Sequence, residues 1–229
     1  MSKHREALAE QFFSGNAASY DRIASFSTLG LDGWWKRKLL HKIPKTSNRI
    51  IEQACGTGIL TFKIARRFPK GRVIGVELQA EYLNIARKKA RDLRLTNVEF
   101  IQGRAEDVIL DGEFDCIVSD YLAKYVDLDL LVAHARTMLR EGGVFVAHEL
   151  TRPTNPLFVG FWKLHFKFLQ TYGKWKYPEW EVAFRDLPLL LAKTRWVDEL
   201  TRALRANKFS DIRVEYLIFG ASVIVSARK

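Results

Sequence analysis

The sequence predicts an α/β fold: a seven-stranded, mostly parallel sheet with helices on both faces and a C-terminal antiparallel hairpin. Three observations carry that reading. A β-branched run, Arg49-Ile-Ile-Glu-Gln53, passes through a small-residue turn, Ala54-Cys-Gly-Thr-Gly58, into apolar residues at helical spacing (Ile59, Leu60, Phe62, Ile64, Ala65, Phe68). This is the strand, turn and helix that open a nucleotide-binding sheet. Short apolar runs then alternate with helical patterns as far as residue 149, which calls for parallel strands covered on both faces. The chain ends in two β runs, 212–219 and 222–227, separated only by Gly220-Ala221, a two-residue hairpin connection.

The elements follow in order. Residues 4–13 read as a short amphipathic helix broken by Ser14-Gly15-Asn16. Residues 17–24 add a helical turn, 25–30 a loop, and 31–43 a helix stopped by Pro44. Strands are expected at 49–53, 72–77, 98–102, 114–119 and 143–149, and helices at 58–68, 79–94 and 127–139. A turn at Arg140-Glu-Gly-Gly143 separates the last of these helices from the fifth strand. A helix at 194–207 leads into the hairpin.

Composition bounds the rest. A chain of 229 residues can bury a sizeable core within one domain, and 48% hydrophobic with 28% charged residues is the balance of a soluble globular protein. The first thirty residues are polar with both charge signs, so no secretory core is present, and no apolar run of about 18 residues implies a membrane span. Cys55 and Cys116 form neither a disulfide framework nor a familiar zinc spacing, so the expectation is a reducing cytoplasm and no metal. Cys116 falls within a buried strand, and His134 and His165 read as surface or packing residues. The net charge of +11 leaves three readings open: a solvated basic surface, an anionic membrane surface, or nucleic acid.

The candidate ligand site begins at the turn, where residues without bulk at Cβ let a ligand approach the backbone. Glu77 ends the second strand 19 residues after Gly58, placed to accept hydrogen bonds from ribose hydroxyls. A dinucleotide remains an alternative, but Thr61 stands where its fingerprint wants glycine or alanine, and Glu52 would sit badly beside a diphosphate. An acid there suits a cation, so the site reads as one for a nucleoside carrying positive charge.

Glu52-Gln-Ala-Cys-Gly-Thr-Gly58 and Gly75-Val-Glu-Leu78 resemble the first two motifs of class I S-adenosylmethionine-dependent methyltransferases, and the wording of the turn is similar to the ubiquinone/menaquinone-biosynthesis (UbiE-like) C-methyltransferases. The resemblance implies a Rossmann-like fold with S-adenosyl-L-methionine as cofactor. It puts Glu52, Ala54, Cys55, Gly56, Thr57 and Gly58 at the methionine end, Glu77 and Leu78 at the ribose, and Ala105 and Glu106 at the adenine, with Ser119 bordering the site. Arg104 stands where the family usually has Asp or Asn, which makes Glu106 the acceptor for the adenine amine. Tyr20-Asp21 resembles the family's N-terminal lid segment, so Tyr20 would help to close the site. The implied organisation is a single domain, 1–229: a helical lid (1–45), a cofactor-binding core (46–150), an aromatic-rich acceptor cover (151–193), and a final helix with the hairpin (194–229).

Methyl transfer to carbon or oxygen also requires a proton to leave the acceptor, so a base is sought after the fourth strand. Ser119-Asp-Tyr-Leu-Ala-Lys-Tyr125 offers Asp120 as base or positioning group, Tyr121 and Tyr125 to stack on an aromatic acceptor, and Lys124 to hold a phenolate. His148-Glu149, ending the fifth strand, is expected to face the same cleft, where either could serve as a base, the alternative being an exposed strand-end pair. The resembled family carries an Arg-Asn pair where Lys124-Tyr125 stands, a departure that loosens the link to the family's quinol acceptor. Residues 155–180 hold nine aromatics, four lysines and one acid. That composition suits either an interfacial helix on a bilayer or a cover whose aromatics, Phe161 and Trp162 among them, pack towards substrate. The expected function is C-methylation of a lipophilic small-molecule acceptor, a quinol or prenylated phenol, by a cytoplasmic protein that can also sit peripherally on the inner face of a membrane. The rivals are a phospholipid amine as acceptor, RNA methylation (made less favourable by the lack of an RNA-binding module), and cofactor binding without turnover. The oligomeric state is left open.

Overall fold

In the computed structural model, which describes residues 9–229, seven strands form one sheet in the order β3-β2-β1-β4-β5-β7-β6. Strands β1 (Arg49–Gln53), β2 (Arg72–Glu77), β3 (Val98–Gln102), β4 (Phe114–Asp120) and β5 (Leu139–Leu150) are parallel. Strand β7 (Ser222–Arg228) runs antiparallel between β5 and β6 (Ser210–Leu217). The central strands are buried on both faces, which is why they read as continuous apolar runs rather than alternating ones.

Alternate side chains serve two cores. Ile50, Val73, Cys116, Val118, Val146 and Ile224 face α2 (Asp32–Lys42) and α3 (Ile59–Arg67). Ile51, Ile74, Ile117, Phe145, Ala147 and Val225 face α5 (Leu128–Met138) and α8 (Trp196–Ala206). Helix α8 buries Trp196, Leu200, Ala203 and Leu204, a single stripe at helical spacing. Helix α5 starts where the Asp127 carboxylate accepts from the amides of Asp129 and Leu130. Helix α4 (Ala80–Asp92) joins β2 to β3, and α1 (Tyr20–Ser27) precedes α2.

Residues 151–193 form a cover of their own. Helix α6 (Pro156–Phe168) is capped by Asn155 and continues through a π-helical turn, Leu169–Gly173; α7 (Glu181–Lys193) follows. Phe166, Leu169, Trp180, Phe184 and Leu191 turn inward and pack with Ile23 of α1. Leu157, Phe161, Leu164, Phe168, Tyr172 and Trp175 are exposed along the opposite side. The aromatics of this segment thus divide between an inward-packed set and an exposed apolar side.

Four boundaries depart from the sequence reading, and residues 4–8 of the expected first helix lie outside the described residues. Residues 25–27 extend α1 rather than starting a loop. The expected turn at 140–143 is instead the start of β5, carried past Gly142 (φ 73°) by bonds between Gly142 and Gly143 and the last residue, Lys229. Strand β6 begins at Ser210 and ends at Leu217. Its link to β7 is not two residues, because Ile218–Gly220 form a 3₁₀ turn in which Ile218 and Phe219 take left-handed φ of 47° and 53°. The Phe219 ring stacks on Phe158 at 3.7 Å, a packing contact that offsets the backbone strain.

The turn after β1 sets the geometry of the ligand edge. Ala54, Gly56 and Gly58 all have positive φ, and a Cβ on Gly58 would stand 2.4 Å from the buried Phe62 ring. Gly58→Ala combines a left-handed alanine with that clash. It should lower stability by about 1–3 kcal/mol, read as a lower urea midpoint at unchanged slope.

Candidate active site

The strand order reverses between β1 and β4, and a cavity of about 140 Å³ opens at their C-terminal ends. Of the residues expected around a nucleoside, Ala54, Gly56, Glu77, Leu78, Ala105 and Glu106 lie on its wall. Glu77 accepts the Gly56 amide on one oxygen and the Gln79 amide on the other, both at 2.9 Å, which ties the tip of β2 to the glycine turn. Glu106 is buried and accepts from Arg104 at 2.8 Å.

Other expected residues stand behind the wall. Cys55 packs against Gly75, and the Thr57 hydroxyl donates to Asp21. Gly58 starts α3, and Ser119 is buried inside β4. Glu52 lies beneath the turn, 2% exposed, where its carboxyl accepts from the Thr61 hydroxyl. Burial, only partly opposed by that bond, pushes the Glu52 pKa up to about 8.

Tyr20 closes the cavity from above. A Cβ on Gly56 would meet its ring at an ordinary contact distance of 3.6 Å, so it is the left-handed φ of 56° rather than the space that calls for glycine here. The Tyr20 ring packs on Tyr82 (5.3 Å between centroids) and sits with Phe13 and Trp180 in one aromatic cluster. Asp21 pairs with Lys89 as well as accepting from Thr57. The Ser19 hydroxyl donates to Glu179 at 2.6 Å and accepts the Trp180 indole N–H at 2.9 Å, which joins the N-terminal segment to the 151–193 cover.

Beside this cavity lies an inner apolar pocket of about 100 Å³. The two share Phe13, Tyr20, Tyr121 and Tyr125, and Lys124 reaches the wall of the inner one. Lys124 Nζ is 2.6 Å from Glu149 Oε2 and 4.4 Å from the centre of the Tyr125 ring. Burial lowers the Lys124 pKa against the pull of Glu149, and burial raises that of Glu149 against the pull of Lys124. Burial also pushes the Tyr121 and Tyr125 phenols well above their usual range, so both are neutral hydrogen-bonding rings.

His148 and Glu149 are not an exposed strand-end pair: both are fully buried, and neither reaches the cavities. Consecutive residues of β5, they point to opposite faces, each into a charge network. On one face His148 Nδ1 lies 2.6 Å from Asp120 Oδ1, and Lys36 Nζ lies 2.8 Å from Asp120 Oδ2 while also pairing with Asp32. Burial would raise the Asp120 pKa, but Lys36 and His148 outweigh it and hold the carboxyl near 2. A carboxylate that acidic is a poor base, so Asp120 orients rather than takes protons. Phe161 and Trp162 lie away from both cavities, on the wall of a third that is described below. Asp32, Lys36 and Tyr82 were not among the residues expected at the site; the signal that could have found them is their place on helices bordering it.

The Glu52 pKa has a consequence for stability. An acid whose folded pKa lies above its unfolded value keeps in the fold a proton that the unfolded chain loses. That contribution is complete below about pH 4.5 and is lost as pH rises through about 8. Glu52→Gln should match the parent near pH 4.5 and gain on it towards pH 8, by up to about 1.4 kcal/mol per pH unit. A gap between the two melting temperatures that does not change with pH would show Glu52 ionised in the fold.

Comparison with known proteins accounts for this arrangement. The ubiE/COQ5 methyltransferase family matches residues 1–185. A demethylmenaquinone methyltransferase of Lactococcus lactis is 28% identical over 99% of this chain and 90% of its own length. A ubiquinone/menaquinone biosynthesis C-methyltransferase UbiE of Pseudomonas syringae pv. syringae is 33% identical over 76% of this chain and 70% of its own. Among solved structures, geranyl diphosphate C-methyltransferase from Streptomyces coelicolor, in complex with S-adenosyl-L-homocysteine, superposes with a TM-score of 0.62 over 86% of this chain and 79% of its own, at 17% identity, a likeness of fold. The glycine turn, the Glu77 carboxylate and the cavity they border fit an adenosyl cofactor. The protein is an enzyme that uses S-adenosyl-L-methionine, and it belongs to the ubiE/COQ5 methyltransferase family.

Proposed function

We propose that the chain methylates a quinol or prenylated phenol at carbon, with the acceptor ring in the inner pocket against the donor cavity. The observation that carries this reading is the inner pocket itself. It is walled by aromatic and aliphatic side chains, shares four of them with the donor cavity, and has one cation, Lys124, at its wall. When bound, S-adenosyl-L-methionine supplies a methyl group on a positively charged sulfur. The chain's residues then have to hold the acceptor carbon in line, exclude water and take protons.

Lys124 and Glu149 suit the last task. With the amine pKa lowered and the acid pKa raised, the pair can hold its shared proton on either partner across 2.6 Å. Neutral Lys124 takes the acceptor's hydroxyl proton, and as ammonium it stabilises the phenolate. With the bound cofactor supplying the methyl group to the acceptor carbon and leaving as the neutral thioether, the ring proton at that carbon would then pass to water as the site opens, and the Lys124 ammonium would return its proton to the ring oxygen. Tyr20, Phe13 and Trp180 keep water from the reacting groups. Glu77 holds the ribose and Glu106 meets the adenine, while the 54–58 turn receives the methionine end with Glu52 tuning the charge beneath it. The chain works as one unit, residues 9–45 closing over 46–150 and 151–193 covering the acceptor.

The exposed ridge on the cover, with Lys163, Lys167, Lys174 and Lys176 exposed beside it, suits the surface of an anionic bilayer from which such an acceptor is drawn. No helix among the described residues is long and apolar enough to cross a membrane.

Methyl-labelled cofactor incubated with reduced lipid extract should label a quinol carbon. Label confined to phospholipid amines would overturn the assignment. Lys124→Met combined with Glu149→Gln, which leaves no unpaired buried charge, should lower kcat by about 10²-fold or more at unchanged cofactor affinity. Glu77→Gln should weaken cofactor binding by about 1.5–3 kcal/mol in calorimetry, and an unchanged affinity would remove Glu77 from the ribose.

A further inference from the structure

A third cavity, about 460 Å³, lies between α6, residues 27–35 and the 218–221 turn. It shares Ser27, Thr28, Leu150 and Phe166 with the inner pocket, so the two spaces adjoin at these side chains. Leu29, Phe158, Phe161, Trp162, Leu164 and Ile218 continue its lining out to the exposed ridge.

The lining offers almost nothing to a polar ligand. The Thr28 hydroxyl donates to the Ala24 carbonyl at 2.6 Å, and the His165 ring bonds the Ser27 carbonyl at 2.8 Å. The Trp35 indole N–H is without a partner among the described residues, and one weak donor does not select a polar molecule against this many apolar side chains. Apolar surface left open on this scale marks a binding site rather than a packing defect. An apolar cavity of about 150 Å³ holds one benzene, so this one accommodates a chain on the order of fifteen to twenty carbons.

We infer that this cavity holds the apolar tail of the acceptor, which enters it past Thr28, Leu150 and Phe166, the side chains that border both spaces. The assignment rests on the acceptor reading for the identity of the molecule and on the cavity alone for its chemical class. A ring in the inner pocket and a tail in the outer cavity give the enzyme two handles on one substrate. Tail length and apolarity then set affinity, while the ring sets chemistry. Phe161 and Trp162, expected from the sequence to touch substrate, would meet it here at the tail.

The test uses a tail without a ring: a sixteen-carbon alcohol brominated along its chain. Bromine quenches tryptophan fluorescence on contact, and Trp35 and Trp162 line the cavity. Quenching should saturate, and Leu164→Glu, a change at the half-exposed mouth, should raise the apparent Kd at least tenfold. Leu130→Glu, the same swap on α5 away from every cavity described, should leave it unchanged. Non-saturable quenching, or equal loss in both variants, would overturn the site. A second arm compares KM for tailed and tailless quinols, expected to differ at least tenfold in the parent and to converge in Leu164→Glu. Saturable chain binding with no quinol methylated would keep the site and sink the acceptor reading. Methylation of both quinols with equal KM and no chain binding would do the reverse.

Discussion

The buried carboxylate of Asp120 is the constraint on which the rest of the site depends. It ends β4 at the point where the strand order reverses, and it is out of water. An unpaired charge there would cost several kcal/mol, so the fold must bring cations to it. Lys36 comes from α2 and His148 from β5, and both lie within 2.8 Å. Anchoring α2 in this way places Asp32 under the Tyr121 hydroxyl, 3.1 Å away. Tyr121 then turns back with φ of 61°, and its ring forms part of the wall that the donor cavity and the inner pocket share. The neutral, apolar inner pocket exists because the charge is settled behind it.

The Lys124–Glu149 pair meets the same requirement on the other face of β5, with a different result. Asp120 has Lys36 and His148 beside it and its carboxyl pKa is held near 2, whereas Glu149 pairs with Lys124, and burial pushes both of those partners towards neutrality. The first network can only orient. Two consecutive residues, His148 and Glu149, thus serve opposite purposes because a strand sends them to opposite faces.

The donor side was legible because it is written in consecutive residues. A strand, a turn of small residues and an acid at the next strand tip determine backbone geometry locally, and Ala54, Gly56 and Glu77 sit where that logic puts them. The acceptor side depends on pairs far apart in the chain: Asp120 with Lys36, Glu149 with Lys124, Trp180 with Ser19. No local pattern marks Lys36 as a buried partner, since a lysine on an amphipathic helix reads as solvent-facing. The exposed look of His148-Glu149 failed for the same reason: a strand end is open only if nothing covers it, and here α2 and the 119–125 loop do. The hairpin was misjudged because Ile218 and Phe219 adopt a conformation that bulky residues rarely take, held by stacking on Phe158 that no local rule anticipates.

That distant coupling also explains why lid and cover are fastened together. Ser19 reaches Glu179 and Trp180, while Tyr20 of the same segment lies over Gly56 and walls both cavities. Moving the lid off the donor therefore moves a wall of the inner pocket, and loosening the cover releases the lid. For a reaction whose demand on the protein is alignment and dryness, this coupling matters more than any single catalytic group. It makes the closed, water-free geometry a joint property of both binding sites.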